Sequence, residues 1–117
     1  ANAEHIDVSL DLVPLQLDLQ RAVPCGLLVN ELLSNACKHA FPHGRPGKLN
    51  VSLAAPDAAG YVLLAVSDDG VGMPTDVEPG TTRSLGLQLV PLLAEQLGAT
   101  LALVREGGTR FEIRFRP

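Results

Sequence analysis

The stretch VNELLSNACKHAFP, Val29 to Pro42, reads as an apolar helix that carries too many polar residues of the wrong kind. At ~100° per residue, Asn30, Glu31, Ser34, Asn35, Lys38 and His39 fall on one contiguous arc of roughly half the helix circumference. Val29, Leu32, Leu33, Ala36, Cys37 and Ala40 fill the other side. An amphipathic helix with a solvated face accounts for this pattern. It does not account for the choice of residues. Solvated faces favour Glu, Lys, Gln and Arg at i, i+4, whereas two Asn and a Ser are poorer helix formers. The arc is therefore either a plain solvent face or a binding face.

Outward from this helix, the chain bounds its own class. Its 117 residues suffice for one sizeable core, so a single domain spanning 1–117 is expected. Hydrophobic content of 46% with 19% charged residues excludes disorder, and no apolar run approaches the ~18 residues of a membrane span. With 3% aromatic residues and no Trp there are few rings on which bases can stack, and a net charge of −4 opposes a nucleic-acid backbone. No nucleic-acid partner is expected. Cys25 and Cys37 lie on one helix, too far apart along its axis for a disulfide, and two unpaired thiols point to a reducing cytoplasm. The start, ANAEHIDVSLDL, has no signal-peptide pattern, and its first residue is Ala, as in a segment of a longer protein.

His5 to Leu10 alternates as a strand, Asp11 to Pro14 offers a turn, and Leu15 to Leu17 reads as a second short strand. Asp18 resembles an N-cap for a helix from Leu19, with Pro24 and Gly26 disturbing its first turns and the regular part running from Cys25 to Ala40. Phe41 to Gly47 is loop. Lys48 to Ala54 and Tyr61 to Ser67 are strands joined by PDAAG. Thr75 to Thr82 reads as a mobile loop. Ser84 to Leu97 is helical by its Leu spacing, closed by Gly98 and bent at Pro91. Thr100 to Val104 and Phe111 to Phe115 form a closing hairpin. This order predicts an α+β sandwich with helices on one face of a mixed or antiparallel sheet.

Three further motifs carry chemistry. Asp68, Gly70 and Gly72 form D-x-G-x-G at a strand end, where the glycines permit close backbone approach and the Asp can accept from an exocyclic amine; a plain Gly-rich turn is the alternative. A calcium loop would need more oxygen ligands, and both the dinucleotide fingerprint and the P-loop are absent. SLGLQLV, Ser84 to Val90, places Gly86 at a helix start, where backbone N–H groups bind phosphate. GGTRF, Gly107 to Phe111, is a tight turn in which Thr109 is the residue to face a ligand. His5 fits a strand and His43 an exposed loop; the scattered His and Cys assemble no zinc cluster, and there is no nucleophile elbow.

In the order E-x-x-x-N, D-x-G-x-G, L-G-L, G-G-T-x-F, the chain resembles the ATP-binding domain of the gyrase, heat-shock chaperone, histidine kinase and MutL superfamily. It is most similar to the catalytic domain of sensor histidine kinases of the subgroup with a V-N-E-L-x-x-N-A-x-K-H-A-F-P box. The resemblance implies a left-handed βαβ sandwich, with Mg-ATP as ligand. It implies that Asn35 coordinates Mg²⁺, that Lys38 and His39 reach the phosphates, and that Glu31 polarises the reacting group or joins the metal shell. Asp68 would read the adenine amine, Gly70 and Gly72 would make room for the base, and Thr109 would support it through water. Leu85, Gly86 and Leu87 would close over the triphosphate, and Thr75 to Arg83 would be the lid, with Arg83 a phosphate contact. The third box departs from G-x-G-L-G-L, the lid is short, and its Phe-containing box is missing.

The leading expectation is a cytoplasmic kinase domain that transfers the γ-phosphoryl group to a histidine on an upstream helical domain, whence it passes to a response regulator. Glu31 and Lys38 would be its catalytic residues. The upstream dimerisation and sensor regions would lie outside these residues, the full protein would be a homodimer, and this domain would make no direct membrane contact. A serine kinase of the anti-sigma-factor type, or a nucleotide-gated interaction module without phosphoryl transfer, are the alternatives.

Overall fold

The computed structural model describes residues 6–39, 47–70, 85–105 and 107–117. Strand β1 (Ile6–Leu12) leads to helix α1 (Leu19–His39), then β2 (Gly47–Leu53), β3 (Val62–Asp68), helix α2 (Leu85–Leu97), β4 (Thr100–Val104) and β5 (Thr109–Phe115). The five strands form one sheet in the order β1-β2-β3-β5-β4. Only the β1–β2 pair is parallel, as a crossover through α1 requires; the other three are antiparallel. This is the expected α+β sandwich with a mixed sheet.

Alternation along β5 explains which face is covered. Thr109, Phe111, Ile113 and Phe115 are buried, while Arg110, Glu112 and Arg114 look outward. The buried set packs with Val51, Val62, Leu64 and Val66 under Leu28 and Leu32 of α1 and Val90, Leu93 and Leu97 of α2. The helix layer does not reach the edge of the sheet: Val8, Leu10 and Leu12 of β1 are each more than half exposed, though they pair with Leu49, Val51 and Leu53.

Helix α1 begins where Asp18 caps it, its Oδ1 accepting from the Arg21 N–H at 2.9 Å. The helix is regular from Leu19 rather than from Cys25, and it runs unbroken through Pro24. A proline inside a helix costs about 3 kcal/mol. Pro24, Leu28, Leu32 and Ala36, four apart, form the buried stripe. Fully burying Leu28 and Leu32 contributes about 1.5–3 kcal/mol each, which outweighs the lost bond. Helix α2 likewise continues through Pro91. It ends in a Schellman motif: Gly98, at φ 67°, donates to Glu95, and Ala99 donates to Ala94.

Three expectations from the sequence are corrected. The strand runs through Leu12, so the turn starts later than Asp11, and Leu15–Leu17 is no strand. The reason is pairing. Among the described residues β1 is flanked by β2 alone, and its last rung is closed by Val13 N–H to the Leu53 carbonyl. Leu15 and Leu17 instead pack on the core from an extended linker. Gly47, read as loop, is the first residue of β2. The expected mobile loop at 75–82, and the loop from Phe41 to Pro46, lie outside the described residues. No helix among the described residues is long and apolar enough to cross a membrane.

At the far end of the β2–β3 hairpin, Asp57 organises the turn. Its Oδ1 accepts from the Ala59 and Tyr61 N–H groups, and its Oδ2 meets the Arg114 guanidinium at 3.0 Å. Arg114 and Arg116 both stack on the Tyr61 ring. The Arg114 hydrogen bond, followed by the Tyr61 N–H, holds the Asp57 carboxyl below its ordinary value of 3.8. A folded-state pKa below the unfolded one stabilises above the unfolded value and is lost as pH falls through the folded value. Asp57→Asn should therefore flatten the loss of stability below pH 3.8, read as urea midpoints on the two sides of that value.

Candidate functional site

Asp68 is the last residue of β3, held between Leu49 of β2 and Thr109 of β5 by the registers of both pairs. Leu49 is buried and touches Ala36, the neighbour of Asn35 on α1. The C-terminal half of α1 therefore lies over the end of the sheet that carries Asp68 and Thr109. Residues remote in sequence thus converge on one end of the sandwich. Thr109, 5% exposed, is the one buried polar side chain among the described residues.

On α1, Asn35 projects about 20° from Leu28, at the margin between the buried stripe and the polar arc. Its Oδ1 is buried and has no hydrogen-bond partner among the described residues. A buried carbonyl oxygen left in this state costs about 1–3 kcal/mol. Glu31, one turn earlier on the same side, is half-buried, and Asn30 is exposed. The opening arc is therefore not uniform: solvent takes one margin, and Asn35 turns inward at the other. Lys38 and His39 occupy the last turn of α1, with only the backbone described there. Cys25, half-buried on the same helix, packs against the core, and burial pushes its thiol up.

Where β3 ends, the chain turns out of the sheet in a braced corner. Asp68 Oδ1 accepts from the Gly70 N–H at 2.9 Å. Asp69 donates its own N–H to the Lys48 carbonyl at 3.2 Å and accepts the Lys48 N–H through Oδ1 at 2.7 Å. From the other side the β4–β5 turn presses in at Gly108. With φ at 131°, a Cβ there would stand 2.0 Å from the Asp68 carbonyl oxygen and 3.0 Å from the Asp69 Cα. Motif reading passes over Asp69 and takes Gly108 only as part of the G-G-T-x-F turn. The double glycine was visible, but the strand it would abut depends on register across the sheet.

The first turn of α2 holds Leu85, Gly86 and Leu87, again with backbone alone described. Gly98 and Ala99 lead to Thr100, which pairs with Arg114 at the end of β5 away from Thr109. The C-terminus of α2 is thus distal to the corner, and its first turn lies at the opposite end, about 18 Å along the axis. Gly72 and Arg83 lie outside the described residues.

A buried amide oxygen with no partner among the described residues, an Asp at a strand end and a buried Thr paired with it thus lie toward one end of the sandwich, groups able to bind a small polar ligand. The fold and the sequence recur in known proteins. The histidine kinase domain of a blue-light-activated histidine kinase from Erythrobacter litoralis superposes with a TM-score of 0.86 at 31% identity, over 95% of this chain and 54% of that one. In sequence, blue-light-activated histidine kinase 2 of Erythrobacter litoralis is 36% identical over 105 residues, covering 89% of this chain and 30% of the relative. Sensor histidine kinase PdtaS of Mycobacterium tuberculosis is 35% identical over 102 residues, covering 84% of this chain and 20% of the relative. The chain thus spans less than a third of these curated relatives. The family model for histidine kinase-, DNA gyrase B- and HSP90-like ATPases matches residues 21–117, from the first turn of α1 to the end of β5 and beyond. Shared sheet, shared helices and shared sequence lead to one conclusion: this chain belongs to that ATPase family, as a domain of the sensor histidine kinase kind.

Proposed function

We propose that this chain is the ATP-binding catalytic domain of a two-component sensor histidine kinase, which binds Mg-ATP and transfers its γ-phosphoryl group to a histidine. The observation that carries this reading is the buried Oδ1 of Asn35, without a partner among the described residues, in a domain of this family. A neutral amide oxygen is a hard ligand, and Mg²⁺ takes one or two protein ligands while keeping waters and phosphate oxygens. The residues present therefore fit that ion, with Asn35 as its protein ligand. When bound, Mg²⁺ supplies charge neutralisation between phosphate oxygens.

The chain's own residues would do the rest. Asp68 accepts a hydrogen bond from the adenine amine; a carboxylate has about four lone-pair sites, so its bond to Gly70 does not exhaust it. Gly70 and Gly72 admit the base, and Thr109 supports it from β5. Lys38 and His39 bind phosphate oxygens, as do the backbone N–H groups at Leu85, Gly86 and Leu87. Glu31 polarises the acceptor or the metal's waters, since an imidazole needs no strong base. In the transfer, a bond forms between the acceptor nitrogen and the γ-phosphorus as the bond to the ADP oxygen breaks. Catalysis then rests on positioning and charge neutralisation. In the whole protein the acceptor histidine would lie on an upstream helical dimerisation domain, the phosphoryl group would pass to a response regulator, and the domain would work in the cytoplasm.

Calorimetric titration with a non-hydrolysable ATP analogue, with and without Mg²⁺, tests the site. Mg²⁺-dependent binding is expected, weakened about tenfold or more in Asp68→Ala, for a lost hydrogen bond to a charged group. An absence of binding at roughly millimolar nucleotide overturns the proposal. Phosphoryl transfer to a supplied acceptor domain separates a kinase from a nucleotide-gated interaction module.

A further inference from the structure

We infer that Asp69 is a positioning residue for base recognition: its carboxylate replaces its own backbone carbonyl as the acceptor of the last β2–β3 rung, and so fixes the orientation of Asp68. The inference rests on the adenine-binding role proposed for Asp68. In an antiparallel hydrogen-bonded pair, the two residues exchange both N–H···O bonds through the backbone. Beyond the Leu49–Asp68 rung, Lys48 faces Asp69. Half of this exchange is ordinary, the Asp69 N–H donating to the Lys48 carbonyl at 3.2 Å. The other half is not. The Lys48 N–H donates at 2.7 Å to Asp69 Oδ1, a side-chain atom.

The substitution has a geometric effect. A backbone acceptor at Asp69 would hold that peptide in the sheet and carry the strand onward. With the side chain accepting instead, the peptide after Asp69 is released, and the chain turns so that the Gly70 N–H reaches back to Asp68 Oδ1 at 2.9 Å. The turn that orients the Asp68 carboxylate therefore depends on the rung that Asp69 closes. Gly108 braces the same corner by contact but supplies no direction, since van der Waals contact is not oriented. Lys48 and Asp69 are both exposed, so their bond adds little to global stability and its effect is local.

The experiment compares Mg-ADP and Mg-IDP binding by the wild-type chain, Asp69→Ala and Asp69→Asn, with thermal melts alongside. Hypoxanthine carries an oxygen where adenine carries the amine and a proton on N1 where adenine has an acceptor, so the ADP/IDP affinity ratio reads recognition of that edge of the base, where the Asp68 contact lies. A general structural defect would weaken both nucleotides equally. The expected result is a ratio lowered about fivefold to tenfold in Asp69→Ala. Asp69→Asn, which keeps an acceptor oxygen at the same place, should restore it, with melting near wild type in both. An unchanged ratio in Asp69→Ala, equal weakening of the two nucleotides, or loss of the ratio in Asp69→Asn as well overturns the inference. A wild-type chain that binds both nucleotides equally overturns instead the adenine-reading role of Asp68. Asp69→Ser, whose hydroxyl is too short to reach Lys48, repeats the comparison if the Ala variant does not fold.

Discussion

Gly108→Ala should lower the unfolding free energy by about 3 kcal/mol or more and remove adenine-nucleotide binding. Two costs add. A φ of 131° is strained for any residue with a Cβ, and the added methyl would stand 2.0 Å from the Asp68 carbonyl oxygen and 2.9 Å from its carbonyl carbon. Both atoms are backbone in a central strand, so no side-chain rotation relieves the overlap. Either the β4–β5 turn lifts away or the Asp68 corner is displaced, and each outcome separates Asp68 from Thr109. The neighbouring Gly107 is the control. Its φ of 65° is left-handed, but nothing lies within 4 Å of the position a Cβ would take. Gly107→Ala should cost only the conformational penalty of about 1–2 kcal/mol and retain binding. Urea unfolding with an ADP titration on each variant decides the matter; equal behaviour of the two variants would refute the contact.

Asn35→Ala should behave in the opposite way, with binding lost and stability kept. Its Oδ1 is buried without a partner among the described residues, so removing it relieves a desolvation cost of about 1–3 kcal/mol that offsets the lost packing. The same truncation removes the proposed Mg²⁺ ligand. Affinity for a non-hydrolysable ATP analogue in Mg²⁺ should fall roughly 100-fold, towards the value measured without the ion, while the melting temperature stays near wild type. A large fall in melting temperature with the Mg²⁺ effect intact would make Asn35 a structural residue.

Sequence alone made the element order readable, because the signals were local. The Asp18 cap, the Gly98 stop and the Leu spacing of α2 each depend on residues within a turn of one another. Pairing was less legible. Leu15–Leu17 has the alternation of a strand, yet the sheet offers it no partner, and alternation cannot report on partners. Pro24 misled for a related reason. Its local cost was visible, but the burial of Leu28 and Leu32 that outweighs it belongs to the sheet beneath. At the site, Asn35, Asp68 and Thr109 were marked by type and spacing, while Asp69 and Gly108 acquire their roles only once Lys48 and the β4–β5 turn are brought alongside β3.

The pairing of β3 with β5 also orders events as the chain folds. The β2–β3 and β4–β5 hairpins each close locally, on a scale of about 1–10 μs. Asp68 belongs to the first and Thr109 to the second. They meet only when the hairpins dock across the long segment containing α2, a non-local contact. Asp68 and Thr109 are therefore parted by any opening between the two hairpins, even one that leaves each hairpin intact. A ligand bound across that seam holds the two hairpins together, and its binding energy adds to the stability of their joint.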